Sequence, residues 1–145
     1  MSDIEDWLSR YKEFFEHIDN DGLKDCDRLF SDQVRFKDPF NDVRGVAGVK
    51  RVFQHMFNVC ETSRFEIHNY CGHGDVGYIS WTFHYLVKGK LVQQRIEGLS
   101  EVKFNPKGEV IEHIDYWDSG EYVYENLPVI GWVLNKLRNR YLRAS

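Results

Sequence analysis

Proline, cysteine and methionine are scarce in this 145-residue chain, which holds three, three and two of them. Pro39, Pro106 and Pro128 each fall between patterned segments, so there is no proline-rich linker and no low-complexity stretch. Cys26, Cys60 and Cys71 are odd in number, widely spaced and form no Cys-x-x-Cys. That excludes a disulfide scaffold and fits a reducing compartment, with the thiols acting as small packing groups. No apolar run approaches the ~18 residues that a membrane span requires. Serine-nucleophile motifs of the G-x-S-x-G type and Walker-type phosphate loops are both missing. Positive charge is not in excess: 19 basic groups face 23 acidic ones, for a net charge of -4. Such a balance argues against nucleic acid as a partner. The first ten residues are acidic where a secretion leader is basic and then apolar, so the chain is expected to be cytoplasmic.

What is present is apolar and aromatic. Hydrophobic residues make up 42% of the chain and aromatics 15%, enough to fill the core of one domain. Residues 3–18 carry Ile4, Trp7, Leu8, Tyr11, Phe14, Phe15 and Ile18 at spacings of three and four, which predicts a helix. Asp19-Asn20-Asp21-Gly22 ends it, and a short helix is expected from Leu23 to Phe30. Val34, Phe36 and Asp38 alternate as a brief strand that stops at Pro39. A third helix is expected from Val46 to Cys60, with Val49, Val52, Phe53, Met56 and Phe57 as its apolar stripe. From about Ser63 the period changes to two. Strands are expected at Phe65–His68, Tyr78–Val87, Leu91–Phe104 and Val110–Trp117, with turns at Lys88-Gly89-Lys90 and Asn105-Pro106-Lys107-Gly108. Pro128 opens a last amphipathic helix. The order predicts an α+β fold in which helices cover one face of a curled antiparallel sheet, leaving an apolar cavity between them. One domain is expected over 1–145, with a core of about 5–120 and a helical extension of about 121–145.

Several motifs can carry chemistry. Gly72-His73-Gly74-Asp75-Val76-Gly77 matches G-x-G-x-x-G, but a strand-like segment follows where a dinucleotide site needs a helix, so a hairpin turn is expected. His68, Cys71, His73 and Asp75 match no zinc spacing, and no metal is expected there. On the last strand, alternation places Ile111, His113, Asp115 and Trp117 on one face. A carboxylate and an imidazole withdrawn from water beside Trp117 could serve in general acid–base chemistry; a solvent-exposed face or a structural His113–Asp115 pair remains the other possibility. Asp38 precedes a proline and is either a turn carboxylate or a second candidate base.

Taken together, Leu29-Phe30-Ser31-Asp32, Phe36-Lys37-Asp38-Pro39, Arg44-Gly45 through Val49 and Phe53, and Gly108 through Asp118 resemble the nuclear transport factor 2-like superfamily. That group includes SnoaL-like polyketide cyclases and ketosteroid isomerases. The resemblance covers about residues 5–120 and implies a cone-shaped sheet around an N-terminal helix, a deep apolar pocket, and a dimer built on the outer sheet face. It implies that Asp38 occupies the place of the ketosteroid isomerase base. Phe14 and Ser100 then stand where that family has its tyrosine and protonated aspartate, with Tyr11 one turn earlier. It also implies that His113, Asp115 and Asp118 match the His-x-Asp-x-x-Asp stretch of the cyclases, making Asp115 the base.

Two functions follow. One is a cofactor-free isomerase or cyclase acting on a hydrophobic carbonyl compound. Asp115 or Asp38 would take the proton, and Tyr85, His113 or Ser100 would donate to the enolate oxygen. Phe14, Phe53, Trp81, Phe83, Tyr85 and Trp117 would line the pocket. The other is a module that binds a hydrophobic small molecule or a protein without catalysis. The outer face is expected to carry Leu99, Glu101, Lys103 and Ile114 and to form a homodimer. Residues 126–145 hold Lys136, Arg138, Arg140 and Arg143 and no acid, while the rest of the chain is acidic. On that balance the basic helix is expected to pack on its own sheet or the cone mouth rather than on a membrane.

Overall fold

The computed structural model describes residues 3–123 and 127–144. Helix α1, Asp3–Glu16, begins with acids in its first turn, as the helix dipole favours. Its buried stripe is Ile4, Leu8, Tyr11 and Phe15, spaced four, three and four, one residue out of step with Trp7, Phe14 and Ile18. A 3-10 turn, Asp21–Asp25, and a short α2, Cys26–Leu29, replace the single second helix expected there. Strand β1, Phe30–Lys37, is longer than its Val34–Asp38 core of alternation, and β2, Asp42–Arg44, gave no periodic signal at three residues. Helix α3 spans Val46–Val59.

Four long strands follow: β3, Cys60–His73; β4, Val76–Val87; β5, Gln94–Phe104; and β6, Val110–Tyr116. The sheet is six-stranded, curved and unclosed, in the order β2-β1-β6-β5-β4-β3. Pairs from β3 to β6 are antiparallel, as expected. Strand β1 departs from that pattern, because it enters beside β6 in parallel. The glycine motif is the β3–β4 hairpin: His73 pairs with Val76, and Gly74 has φ of 65°. After the next turn β5 begins only at Gln94, and Leu91, expected within the strand, is 99% exposed.

Alternation on β6 is broken once. Phe104 pairs with Val110 and Lys103 with Glu112, so Ile111 is an extra residue in a bulge. This turns Val110 inward and leaves Ile111, placed by simple alternation on the inner face, 37% exposed. His113 and Asp115 keep their inward side.

The core lies between the concave sheet face and the helices α1 and α3. Leu8, fully buried, rests on Gly77, where a Cβ would come within 2.5 Å of a Leu8 methyl group. The helix therefore approaches β4 closely only because that position is glycine. At the far end, α4 is a single turn, Ser119–Tyr122, capped by the Asp118 carboxylate accepting from the Glu121 N–H. Helix α5, Pro128–Leu137, continues as a π turn over Arg138–Leu142. Most of its apolar stripe is not buried on the sheet or the cone mouth as expected: Val129 is 73% and Ile130 50% exposed, while Leu134 is half-buried. Leu8→Ala should destabilise the fold by about 2–5 kcal/mol, read from urea denaturation, because the cavity left under α1 cannot close against Gly77.

Candidate functional site

The site is built from cross-strand register. Ser100 on β5 is the direct partner of Asp115 on β6, and Phe36 on β1 is the partner of His113. Trp81 on β4 is the partner of Gly98. A Cβ on Gly98 would lie 2.4 Å from the Trp81 ring, so this glycine lets the indole lie across β5 toward Ser100.

These positions form one continuous hydrogen-bonded chain. Trp81 Nε1–H donates to Ser100 Oγ at 2.8 Å, and Ser100 Oγ–H donates to Asp115 Oδ1 at 2.5 Å. His113 Nε2 lies 2.6 Å from the same Oδ1, and His113 Nδ1 lies 2.7 Å from the Tyr11 hydroxyl. Burial and the nearby Asp115 charge raise the Tyr11 pKa well above its ordinary value, so this hydroxyl keeps its proton. The protons then follow by satisfaction of partners. With Nε2–H pointing at Asp115, Nδ1 is placed to accept the Tyr11 O–H. His113 is 2% exposed, stacked on Phe36 with ring centroids 4.4 Å apart and flanked by Tyr11 and Phe15.

All of these bonds converge on Oδ1 of Asp115. Among the described residues no buried side-chain polar atom lacks a partner, and Oδ2 accepts no hydrogen bond there, so Oδ2 is the accessible oxygen. It belongs to a cleft of two chambers. The inner one, about 30 Å³, is bounded by Phe15, Phe36, Phe65, Ser100, His113 and Asp115 among others, and has room for about one water. The outer one, about 180 Å³, adds Val52, Met56, Phe83, Ile96 and Trp117, with Asp38, Asn41 and His55 toward solvent. Phe36, Phe53, Phe65, Trp81 and Asp115 border both, which places the carboxylate at their junction. An open groove formed by Lys37, Asp38, Pro39, Ile114, Tyr116 and Trp117 also reaches Asp115.

The structure thus brings together Phe53, Trp81, Phe83, Ser100, His113, Asp115 and Trp117 of the residues chosen from the sequence. Phe14 is not among them. It sits a third of a turn from the inward stripe of α1 and borders a separate groove with Arg10, Glu13 and His17, while Phe15 takes the cavity position. Tyr85 shares the face of Trp81 and Phe83 but lies further along β4, stacked on Phe83 at 5.2 Å and outside both chambers. The donors of Ser100 and His113 are already spent on Asp115 and cannot serve an enolate oxygen. Asp38 closes the β1–β2 turn: its Oδ1 accepts the backbone N–H groups of Phe40 and Asn41, both at 2.8 Å, and Asn41 Nδ2 bridges both oxygens. His55 on α3 was not singled out by any motif. It is exposed, borders the outer chamber, and has no hydrogen bond or ion pair to a described residue.

The described residues hold no group of three or more His, Cys, Asp or Glu able to hold a metal ion. His68 is engaged instead with Thr82 Oγ1 at 2.7 Å.

Comparison with known proteins agrees with this architecture. The SnoaL-like domain family matches residues 11–113. The chain belongs to the SnoaL-like family. Solved structures add the wider nuclear transport factor 2-like fold. A nuclear transport factor 2-like protein of unknown function from Burkholderia pseudomallei superposes with a TM-score of 0.71 at 15% identity, covering 83% of this chain and 95% of the other. A proposed isomerase of the SnoaL-like family from Agrobacterium tumefaciens gives 0.63 at 19% identity, covering 77% and 94%. A proposed SnoaL-like polyketide cyclase from Shewanella putrefaciens gives 0.66 at 15% identity, covering 81% of each chain. No curated protein matches this SnoaL-like chain.

Tyr11→Phe should cost about 1–3 kcal/mol in urea denaturation, because Nδ1 of His113 is left buried without a donor. The pH dependence carries a second signature. Burial pushes the Cys26 thiol up to about 11 and the Tyr11 phenol higher than its ordinary value of 10.0. Both groups hold their protons in the folded chain after the unfolded chain has released them. Stability is therefore full below the unfolded values and falls as pH rises, from about pH 9 for the thiol and about pH 10 for the phenol. In Cys26→Ala the decline should begin later, and in Tyr11→Phe its upper part should be shallower.

Proposed function

We propose that this SnoaL-like protein is a cofactor-free enzyme that moves a proton next to the carbonyl of a small hydrophobic compound. The observation that carries the reading is the division of labour within the Asp115 carboxylate. Oδ1 is anchored by Ser100 and His113, and Oδ2 is free at the junction of two apolar chambers. A base held by two donors keeps its position while its other oxygen reacts. Aromatic walls exclude water around it, and the outer chamber admits a small compound or the reactive end of a larger one.

In the forward step Oδ2 takes the proton α to the carbonyl, and the C–H electron pair becomes the enolate. The same oxygen returns that proton to a different carbon for isomerisation; for ring closure the enolate carbon attacks a second carbonyl, whose π electrons move to its oxygen, and Oδ2 gives its proton to that alkoxide. The His113–Tyr11 pair stays in place and steadies Oδ1 as the charge on the carboxylate changes. His55, with its ring unengaged at the chamber mouth, supplies the hydrogen bond to the enolate oxygen that neither Ser100 nor His113 can spare. Asp38 holds the mouth in shape. Strict steroid isomerase chemistry is disfavoured, because Phe14 points elsewhere and the hydroxyl of Ser100 faces its own carboxylate.

A second reading is favoured by one observation. Every buried polar group around the inner chamber is already paired within the protein, as in a pocket that holds an apolar ligand without reacting. One experiment separates the two. Small α-substituted ketones and β-diketones are incubated with the protein in D₂O, and exchange of the α-proton is followed by NMR. Exchange should be catalysed by the wild type and fall by at least ~10³-fold in Asp115→Asn, with an unchanged melting temperature. Asp38→Asn should retain most of the exchange, and His55→Gln should lose about 10–100-fold. Binding of these compounds without exchange in the wild type would leave the ligand-binding reading.

A further inference from the structure

Residues 127–144 stand outside the site, and the chemistry above makes no use of them. The basic helix was expected to turn its apolar stripe toward the protein, yet of that stripe in α5 only Leu134 is half-buried and the rest faces solvent. At about 100° per residue, Val129, Ile130, Val133 and Leu137 share one arc of α5, and Gly131 lies opposite to it. Gly131 is the buried residue of α5, while those four are between 41% and 73% exposed. The face toward the protein thus carries Gly131 flanked by the half-buried Leu134 and Asn135, and the face toward solvent is aliphatic.

The polar groups on this segment have a matching distribution. Lys136, Arg138, Arg140 and Arg143 are all exposed, and no acid occurs anywhere in 127–145. Lys136 Nζ lies 4.9 Å from the centroid of Trp132, and the Arg140 guanidinium 5.2 Å from that of Tyr141. Two exposed aromatics, each carrying a cation one turn or one residue away, border an aliphatic strip. Aromatic rings of this kind settle at the boundary between water and hydrocarbon, and cations beside them settle among phosphate groups. A protein partner would need to supply both an apolar groove and a set of carboxylates. An anionic bilayer supplies an apolar layer and a plane of phosphate groups along any direction of the helix.

We infer that α5 with its π turn is a docking element for an anionic phospholipid surface, lying in the plane of the interface with Val129, Ile130, Val133 and Leu137 in the acyl boundary. No helix among the described residues is long and apolar enough to cross a membrane, so the contact is peripheral. Charge complementarity selects the anionic surface, and it also sets the orientation. The acidic body is repelled while the four cations are attracted, so the body stands off and the helix touches. Attraction on this scale is reversible and screened by salt. This inference is independent of the Asp115 chemistry and survives if that chemistry fails.

The test uses the full chain and flotation with vesicles of phosphatidylglycerol and phosphatidylcholine, against vesicles of phosphatidylcholine alone. The protein should float with the mixed vesicles at low salt and about tenfold less with the neutral ones or at high salt. Val133→Glu with Leu137→Glu should abolish flotation. Lys136→Gln with Arg140→Gln should reduce it about tenfold, and both variants should keep the melting temperature because all four side chains are exposed. No flotation of the wild type, equal flotation on both vesicle types, or insensitivity to the paired glutamates overturns the inference. So does a wild type that stays in solution as a dimer and becomes a monomer in Val133→Glu with Leu137→Glu, for then a second copy covers the face.

Discussion

The buried imidazole of His113 ties the structure together. Its two nitrogens reach in opposite directions, to Tyr11 on α1 and to Asp115 on β6, so one ring fixes the helix and the carboxylate at once. A histidine in an apolar core is costly unless both nitrogens are engaged, and here each has a partner. Ser100 and Trp81 extend the same line across two more strands. Three strands and one helix therefore cooperate to hold a single oxygen atom, and the aromatic shell around them serves as core and cavity wall together.

The anchoring explains why the protein spends conformational options at two glycines. Gly77 brings α1 down onto β4, which sets the height of Tyr11 above the sheet, and Gly98 makes room for the indole that begins the chain. Larger residues at either place would move a hydrogen-bond donor rather than merely fill space. Asp38 belongs to the same economy. Saturated by Phe40, Asn41 and the Asn41 amide, it shapes the entrance and leaves the reactive role to the less encumbered carboxylate.

Much of the fold was legible in the sequence because its periods are clean. The change from a spacing of three or four to a spacing of two near Ser63 located the helices and the sheet, and the motif run from Gly108 to Asp118 pointed to the inward histidine and aspartate. The errors have local causes. Spacing alone admits both Phe14 and Phe15 to the apolar side of α1, and only the packed sheet decides between them. One extra residue at Ile111 defeats strict alternation. Strand β2 is too short for a period, and a parallel neighbour for β1 cannot be read from its own residues. The pairing of Ser100 with Asp115 depends on strand register, which hydrophobic pattern constrains to a face but not to a partner. His55 carried no motif at all. Net charge gave no account of the tail's packing: Gly131 and Leu134 face the protein, while Val129, Ile130, Val133 and Leu137 face solvent.

Strand β1 lies in parallel beside β6, with Phe30 opposite Val110 and Phe36 opposite His113. The consequence is temporal. As the chain emerges from a ribosome, β1 is made long before its neighbour β6 exists, whereas β3, β4 and β5 pair with strands next to them in sequence. Helix α1 can already lie on β3 and β4, but β1 must wait for its central partner until β6 arrives to receive it. Long-range pairing of this kind slows folding and prolongs exposure of apolar surface. The last strand to be made is thus the one that closes the core, and the Asp115 site comes into being in that same closing step.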